Sequence, residues 1–151
     1  MNQRVKELIF KVANKLGSDV KTYQSDQGLE TLSLMISFPN GRNQGVLALE
    51  VAGNEYVRFV SIVKFYANSQ DLKTNLNLEK VLRANFQITE GAYGIIDLPS
   101  PYGNSNAPAL VFVANQNIKT ADLEEIENKI ISTAKFTDQL EGILGGGVDN
   151  F

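Results

Sequence analysis

The fold of this chain depends on residues 55–67, which read EYVRFVSIVKFYA. Because successive side chains of a strand point to opposite faces, we divide this run into two apolar sets. The odd-numbered set is Val57, Phe59, Val63 and Phe65. The even-numbered set is Tyr56, Val60, Ile62 and Tyr66. A strand with one face in water carries one apolar set, so the second set predicts that both faces are covered.

The covering of the even-numbered set has two interpretations. The first and last helices of the chain can pack together on one face of the sheet, which leaves this set for the short middle helix or a second subunit. A large apolar patch is uncommon on a monomer, and a self-complementary one is most simply buried in a twofold dimer. The other interpretation is that helices of the same chain cover both sets.

Two further strands are predicted before this run. Apolar and polar side chains alternate over residues 30–38 and again over residues 45–52. The turn at residues 39–42 contains Asn-Gly, which favours a hairpin, and Gly53-Asn54 predicts a second turn. We expect a three-stranded antiparallel meander. The polar stretch before it holds at most a short extended piece near residues 20–23.

Two segments in the first two thirds of the chain have helical spacing. Residues 5–16 place apolar side chains at intervals of three and four positions, and Gly17 ends them. Residues 78–86 follow Asn77, a favourable N-cap, and the polar residues 68–75 before it are expected to form a loop.

The last third of the chain predicts two strands and a long helix. The strands are residues 91–98 and 109–114, separated by a turn-rich loop at 99–108. The helix is capped by Thr120 and carries acidic residues in its first turn, where the helix dipole favours them. Consecutive glycines end it, so residues 145–151 are expected to form a flexible tail.

The order of elements predicts an α+β fold in a single domain, residues 1–151. It runs helix, three-strand meander, helix, two strands, helix, with the helices packed on a mixed or antiparallel five-stranded sheet. A chain of 151 residues can bury a sufficient core without disulfides.

Composition narrows the possible functions. The chain has no cysteine and no histidine, so thiolate nucleophiles, imidazole bases and the usual zinc ligands are absent. The net charge is −3, and the basic residues form no stripe, so we expect no nucleic-acid partner. Asp97 is the one acid inside the last two predicted strands, and nothing fixes a second acid beside it. We expect no enzyme activity, cofactor, metal or membrane contact, and a soluble, cytoplasmic protein.

A resemblance to a known fold rests on the middle of the chain. Asn77 precedes LRANF at residues 82–86, and Gly91 leads into YGIID at residues 93–97. Together with the order of elements over residues 5–144, this resembles the secretion-chaperone-like fold. That fold is shared by the type III secretion chaperones and the YbjN-like proteins.

The resemblance implies a homodimer that binds protein. The middle helix would contribute to the subunit interface, and the apolar outer surface of the sheet would bind an extended segment of another protein. The candidate interface residues are therefore Tyr56, Val60, Ile62, Tyr66, Leu78, Val81, Leu82 and Phe86. The function expected is a non-enzymatic, chaperone-like protein-binding module. The alternative is a small-ligand-binding or regulatory domain with a pocket between the sheet and the 99–108 loop.

Overall fold

One antiparallel sheet carries the helices on one of its faces. The computed structural model describes residues 1–24, 28–51, 53 and 55–145. The helices in these residues are α1 (Gln3–Lys15), α2 (Ser69–Asn75), α3 (Leu78–Asn85) and α4 (Leu123–Gly145). The strands are β1 (Val20–Gln24), β2 (Glu30–Ser37), β3 (Asn43–Glu50), β4 (Tyr56–Phe65), β5 (Ala92–Pro99) and β6 (Asn106–Asn117). The expected α+β class is confirmed.

The six strands lie in the order β1-β2-β3-β4-β6-β5, and every neighbouring pair is antiparallel. The hairpin between β2 and β3 closes with Gly41 at φ 82°, a left-handed conformation that glycine adopts without strain. β4 and β5 run in the same direction because β6 lies between them and is antiparallel to both. The chain therefore crosses over β6 through α2 and α3.

α1 and α4 pack side by side against the first part of the sheet. Their buried side chains contact those of β2, β3 and the start of β4. The α1 side chains in this core are Val5, Ile9, Val12 and Ala13, and those of α4 are Ile126, Ile130 and Ala134. Val57 and Phe59 of the odd-numbered set are fully buried beneath these helices. We call this side of the sheet the helix-covered face.

α3 covers the end of the same face beside β5. Val81 of α3 packs with Val63 and Phe112, and the Phe112 ring stacks on Phe136 of α4 at a centroid distance of 5.0 Å. The side chain of Asn85 pairs with the backbone of Tyr93, accepting from its N–H at 2.6 Å and donating to its carbonyl at 3.1 Å. These contacts fix the helix against the edge strand.

A β-bulge changes which side chains of β4 share a face. The register of β4 against β6 shifts between Ile62 and Lys64. A bulge places one extra residue in a strand, so the alternation beyond it slips by one position. Phe65 consequently points away from the helices, and Tyr66 lies 2% exposed in the helix-covered core. The expectation that Tyr66 belongs with the even-numbered set and Phe65 with the odd-numbered set is wrong for this reason.

Two elements extend the expected order. β1 pairs with β2 from Val20 to Gln24, so the sheet has six strands where five were expected. α2 occupies residues expected to form a loop. Its N-cap Asn68 accepts a hydrogen bond from the backbone N–H of Asp71 at 2.9 Å.

The long helix begins later than expected. The Asp122 carboxylate accepts from the backbone N–H of Glu125 at 2.8 Å, and the Glu125 carboxylate accepts from that of Asp122 at 3.3 Å. This reciprocal pair is a capping box, so Asp122 replaces Thr120 as the capping residue. The expected turn at Gly53-Asn54 and the expected tail lie partly outside the described residues, which exclude Asn54 and residues 146–151.

Candidate functional site

The side of the sheet opposite the helices is apolar and is covered by none of the described helices. We call it the helix-free face. Its cluster of apolar side chains comprises Leu47, Leu49, Val60, Ile62, Phe65, Ile96, Leu98, Ala109, Val111 and Val113. Val60 is nearly inaccessible because Leu47 and Val113 flank it on the neighbouring strands. Most of the other members keep part of their surface in contact with water.

A groove opens in this face where β3 and β4 separate. The two strands pair from Glu50 with Val57 as far as Leu47 with Val60, and beyond that point β4 continues alone beside β6. The resulting groove has a volume of about 430 Å³. Its lining is mainly apolar and includes Met35, Leu47, Ile62 and Phe65. Gly45 leaves its floor open, since a Cβ there would meet no atom within 4 Å.

A buried ionic network holds the strand beside the groove to α4 on the opposite face. The Gln44 side chain donates to the Glu141 carboxylate at 2.6 Å, and Arg42 lies 3.0 Å from the same carboxylate. Arg42 also pairs with Asp138 at 2.7 Å. Glu141 is 1% exposed, so its charge depends on these partners. The network ties the β2–β3 hairpin to α4 while β3 diverges from β4.

One cationic side chain stands among the apolar residues of the helix-free face. Arg58 lies opposite Leu49 on β3 and Asn115 on β6. Its Nε donates to the Asn115 side-chain oxygen at 2.9 Å. Tyr56, 41% exposed, is two residues away on the same face. The face therefore combines an apolar groove at one end of β4 with a guanidinium at the other.

A second apolar surface lies on α3, which presents Leu78, Leu82 and Phe86 to water. These side chains follow one another at intervals of four residues along the helix and are 51%, 59% and 93% exposed. They form one outward stripe because side chains at this spacing lie on the same side of a helix. Val81 points inward and is buried, so it belongs to the core and not to this surface. We call Leu78, Leu82 and Phe86 the α3 stripe.

The α3 stripe is bordered by a pair of opposite charges. The Glu79 carboxylate accepts from the guanidinium of Arg83, one turn further along, with a nearest distance of 2.9 Å. Both side chains are largely in water. An exposed pair of this kind adds little stability to the monomer, so its position beside the stripe matters more than its strength.

The eight candidate residues thus divide into three groups. Tyr56, Val60 and Ile62 lie on the helix-free face, and Leu78, Leu82 and Phe86 form the α3 stripe. Tyr66 and Val81 are core residues. Sequence reasoning missed Phe65, Met35 and Arg58 as parts of the exposed face. Alternation along β2 assigns Met35 to this face, whereas the position of Phe65 depends on a bulge that no sequence pattern marked.

Two other exposed side chains, those of Asp97 and Tyr102, belong to neither surface. Asp97 is exposed on the edge strand β5 and has no hydrogen-bond or ion-pair partner among the described residues. Tyr102, in the loop between β5 and β6, is 73% exposed. No group of three acidic residues in the described ranges could hold a metal ion. None of the helices described is long and apolar enough to cross a bilayer.

Two tyrosines, Tyr66 and Tyr93, are packed in the helix-covered core. The hydroxyl of Tyr93 donates to the carbonyl of Phe136 at 2.6 Å, and burial raises the pKa of Tyr93 to about 12. Burial also raises the pKa of Tyr66, with a smaller contribution from the nearby Asp71 carboxylate. Neither group faces the groove, so these shifts concern the stability of the fold.

Comparison with known proteins assigns no relative to this chain: no protein-family model matches it, and no curated protein is similar enough to count as one.

Proposed function

We propose that this protein is a non-enzymatic, cytoplasmic protein-binding module, a chaperone-like homodimer that holds a segment of another protein. The observation that carries the proposal is the presence of two separate apolar surfaces, the helix-free face and the α3 stripe. Contiguous apolar surface on a folded chain is typical of protein contacts. Nucleic acid has no place in the proposal because neither surface carries a cluster of cations.

The α3 stripe suits a second copy of the chain. In a twofold contact between antiparallel α3 helices, Leu82 lies near the axis and Leu78 faces the partner's Phe86. Glu79 of each copy then approaches Arg83 of the other, so the charges beside the stripe are self-complementary. The resemblance to secretion-chaperone-like proteins supports the same assignment, since it places the middle helix at the subunit interface.

The helix-free face suits the bound segment. Its groove accepts apolar side chains, and burial of that surface contributes about 25 cal/mol per Å². The outer edges of β1 and of β5 beyond Tyr93 offer backbone groups to an extended chain, as in recognition by strand addition, whereas the Tyr93 backbone is already paired with Asn85. A sheet whose apolar face is already open can bind such a segment without first unfolding its own core.

The dimer is tested by comparing the mass in solution of the natural sequence with that of the Leu82→Glu variant. We expect light scattering to give twice the chain mass of 16.6 kDa for the natural sequence and the single chain mass for the variant. A charge at the centre of the interface meets its own copy across the axis, which disfavours association. Phe10→Glu is the control, because Phe10 is also an exposed apolar residue on a helix but lies on α1. A natural sequence that is monomeric at high concentration would contradict the dimer.

A small-ligand-binding or regulatory domain is the second candidate, and the groove of about 430 Å³ favours it. That volume is within the range of small-molecule sites. The groove lies between strands β2, β3 and β4, and the 99–108 loop expected to close the pocket does not line it. A ligand that binds the folded state raises the melting temperature, so thermal shifts across a metabolite panel test this function. Ile62→Asp, within the groove, should abolish any shift.

A further inference from the structure

The charges of the sheet are divided between its two faces. Six charged residues lie within the strands: Lys21, Glu30, Glu50, Arg58, Lys64 and Asp97. The register places the three acidic residues on the helix-covered face, where Glu30 pairs with Lys6 of α1 and Glu50 approaches the N-terminal amine at 4.0 Å. Of the charged residues within the described strands, only Lys21 and Arg58 lie on the helix-free face. A chain with a net charge of −3 therefore presents a strand surface of the opposite sign.

Lys21 and Arg58 differ in their surroundings. Lys21 lies on the edge strand and lines a pocket whose lining includes one acidic residue, Asp19. Arg58 lies on an interior strand between two neutral residues, Leu49 and Asn115. No carboxylate of the described residues is within ion-pair distance of its guanidinium. Arginine has five N–H donors and Asn115 engages Nε, which leaves donors for a ligand.

The position of Arg58 relative to the groove defines two contacts for one ligand. Arg58 and Ile62 are four residues apart on β4, on the same face and on the same side of the bulge. At a strand rise of about 3.3 Å per residue, they are separated by about 13 Å. An extended segment lying along β4 spans that distance with about four residues.

We propose that the helix-free face binds an acidic, apolar polypeptide segment, with a carboxylate on Arg58 and apolar side chains in the groove beside Ile62 and Phe65. This inference rests on the proposed function and adds the chemistry of the bound segment. In a contact between two helix-free faces a second copy does not supply this carboxylate, because the three acidic strand residues of the described part of the chain lie on the other face. The carboxylate and the first apolar side chain of an extended ligand are about four residues apart.

The test uses two synthetic peptides of equal length. Both carry the same leucines, and one carries aspartate where the other carries lysine, four residues from the first leucine. We expect the aspartate peptide to bind the full chain at least about fivefold more tightly in fluorescence anisotropy, with a difference that shrinks as salt is added. Arg58→Glu should remove or reverse the preference. Lys11→Glu, the same charge change on α1, should preserve it.

The possible outcomes separate this inference from the proposed function. If both peptides bind equally and Ile62→Asp weakens both, protein binding stands and the charge preference is overturned. If neither peptide binds at any salt concentration, both the inference and client binding on this face are overturned. If Ile62→Asp halves the mass measured by light scattering, a second copy occupies the face and the inference is again overturned. A preference that survives Arg58→Glu overturns the role of this arginine.

Discussion

The two faces of the sheet are similar in composition and different in exposure. On the helix-covered face, Phe59 is fully buried beneath α1 and α4. On the helix-free face, Phe65 of the same strand remains partly open to water beside the groove. The apolar character of a strand therefore indicates that both faces are suited to contact, but the path of the chain decides which face its own helices cover. The uncovered face is the one that the proposed function assigns to another molecule.

The largest expected effect comes from the matched pair Phe59→Ala and Phe65→Ala. Phe59→Ala should lower the free energy of unfolding by about 3–5 kcal/mol, because it leaves a cavity in a packed core. Phe65→Ala should lower it by about 1–2 kcal/mol, because part of that ring is already in water and the site opens to solvent. Denaturant unfolding at equal protein concentrations measures both. Equal losses of unfolding free energy would mean that the helix-free face is packed as tightly as the helix-covered face. That result would contradict the difference in exposure between the two faces.

Two glycines near β5 allow the same comparison between the faces, with smaller expected changes in the free energy of unfolding. A Cβ on Gly91 would lie 2.4 Å from the carbonyl oxygen of Val113 and 2.7 Å from the Phe112 ring, whereas a Cβ on Gly94 would meet nothing within 4 Å. Gly91→Ala should therefore cost about 2 kcal/mol of unfolding free energy. Gly94→Ala should change it by about 0.5 kcal/mol or less. Thermal unfolding of the two variants is the measurement, and a larger loss for Gly94→Ala would contradict the assignment of open space to that face.

The smallest effect is a pH dependence on the helix-covered face. Burial raises the pKa of Tyr93 from 10.0 to about 12, so the folded state disfavours ionisation that the unfolded state allows. The stabilisation from the neutral hydroxyl is complete below pH 10 and is lost as the pH rises towards 12. The natural sequence should exceed Tyr93→Phe by about 1 kcal/mol at pH 7, through the hydrogen bond to Phe136. That advantage should shrink above pH 10.

Urea unfolding at a series of pH values follows this difference. Between pH 7 and pH 9 the two stability curves should run parallel, which serves as the internal control. A constant difference through pH 11 would show that the Tyr93 hydroxyl ionises equally in both states and would contradict the buried environment.

Much of the fold could be predicted because its signals are local. Alternation in β2, β3 and β4 and the helical spacing around Val5 and Leu82 depend on neighbours within a few residues. β1 and α2 lack an apolar repeat, and both are polar segments that tertiary contacts or caps hold in place. The pattern Asn68-x-x-Asp71 was the available signal for α2, since both side chains accept backbone hydrogen bonds there.

The candidate site was predictable only in part. The apolar excess of β4 and the stripe of Leu78, Leu82 and Phe86 are properties of the sequence. The bulge that exchanges Phe65 and Tyr66 depends on the pairing of β4 with β6, which begins far along the chain. The groove likewise results from the point at which β3 and β4 stop pairing, and no residue type marks that point.

The insertion of β6 between β4 and β5 has a consequence for synthesis on the ribosome. β4 ends at Phe65, whereas β6 begins at Asn106, so the nascent chain displays β4 as an open edge until most of the polypeptide has been made. During that interval β4, which is apolar on both sides, has one edge of unpaired backbone amides and carbonyls. Such an edge can pair with other chains. Translational pausing before Asn106 should therefore increase misassembly more than pausing after Asn117.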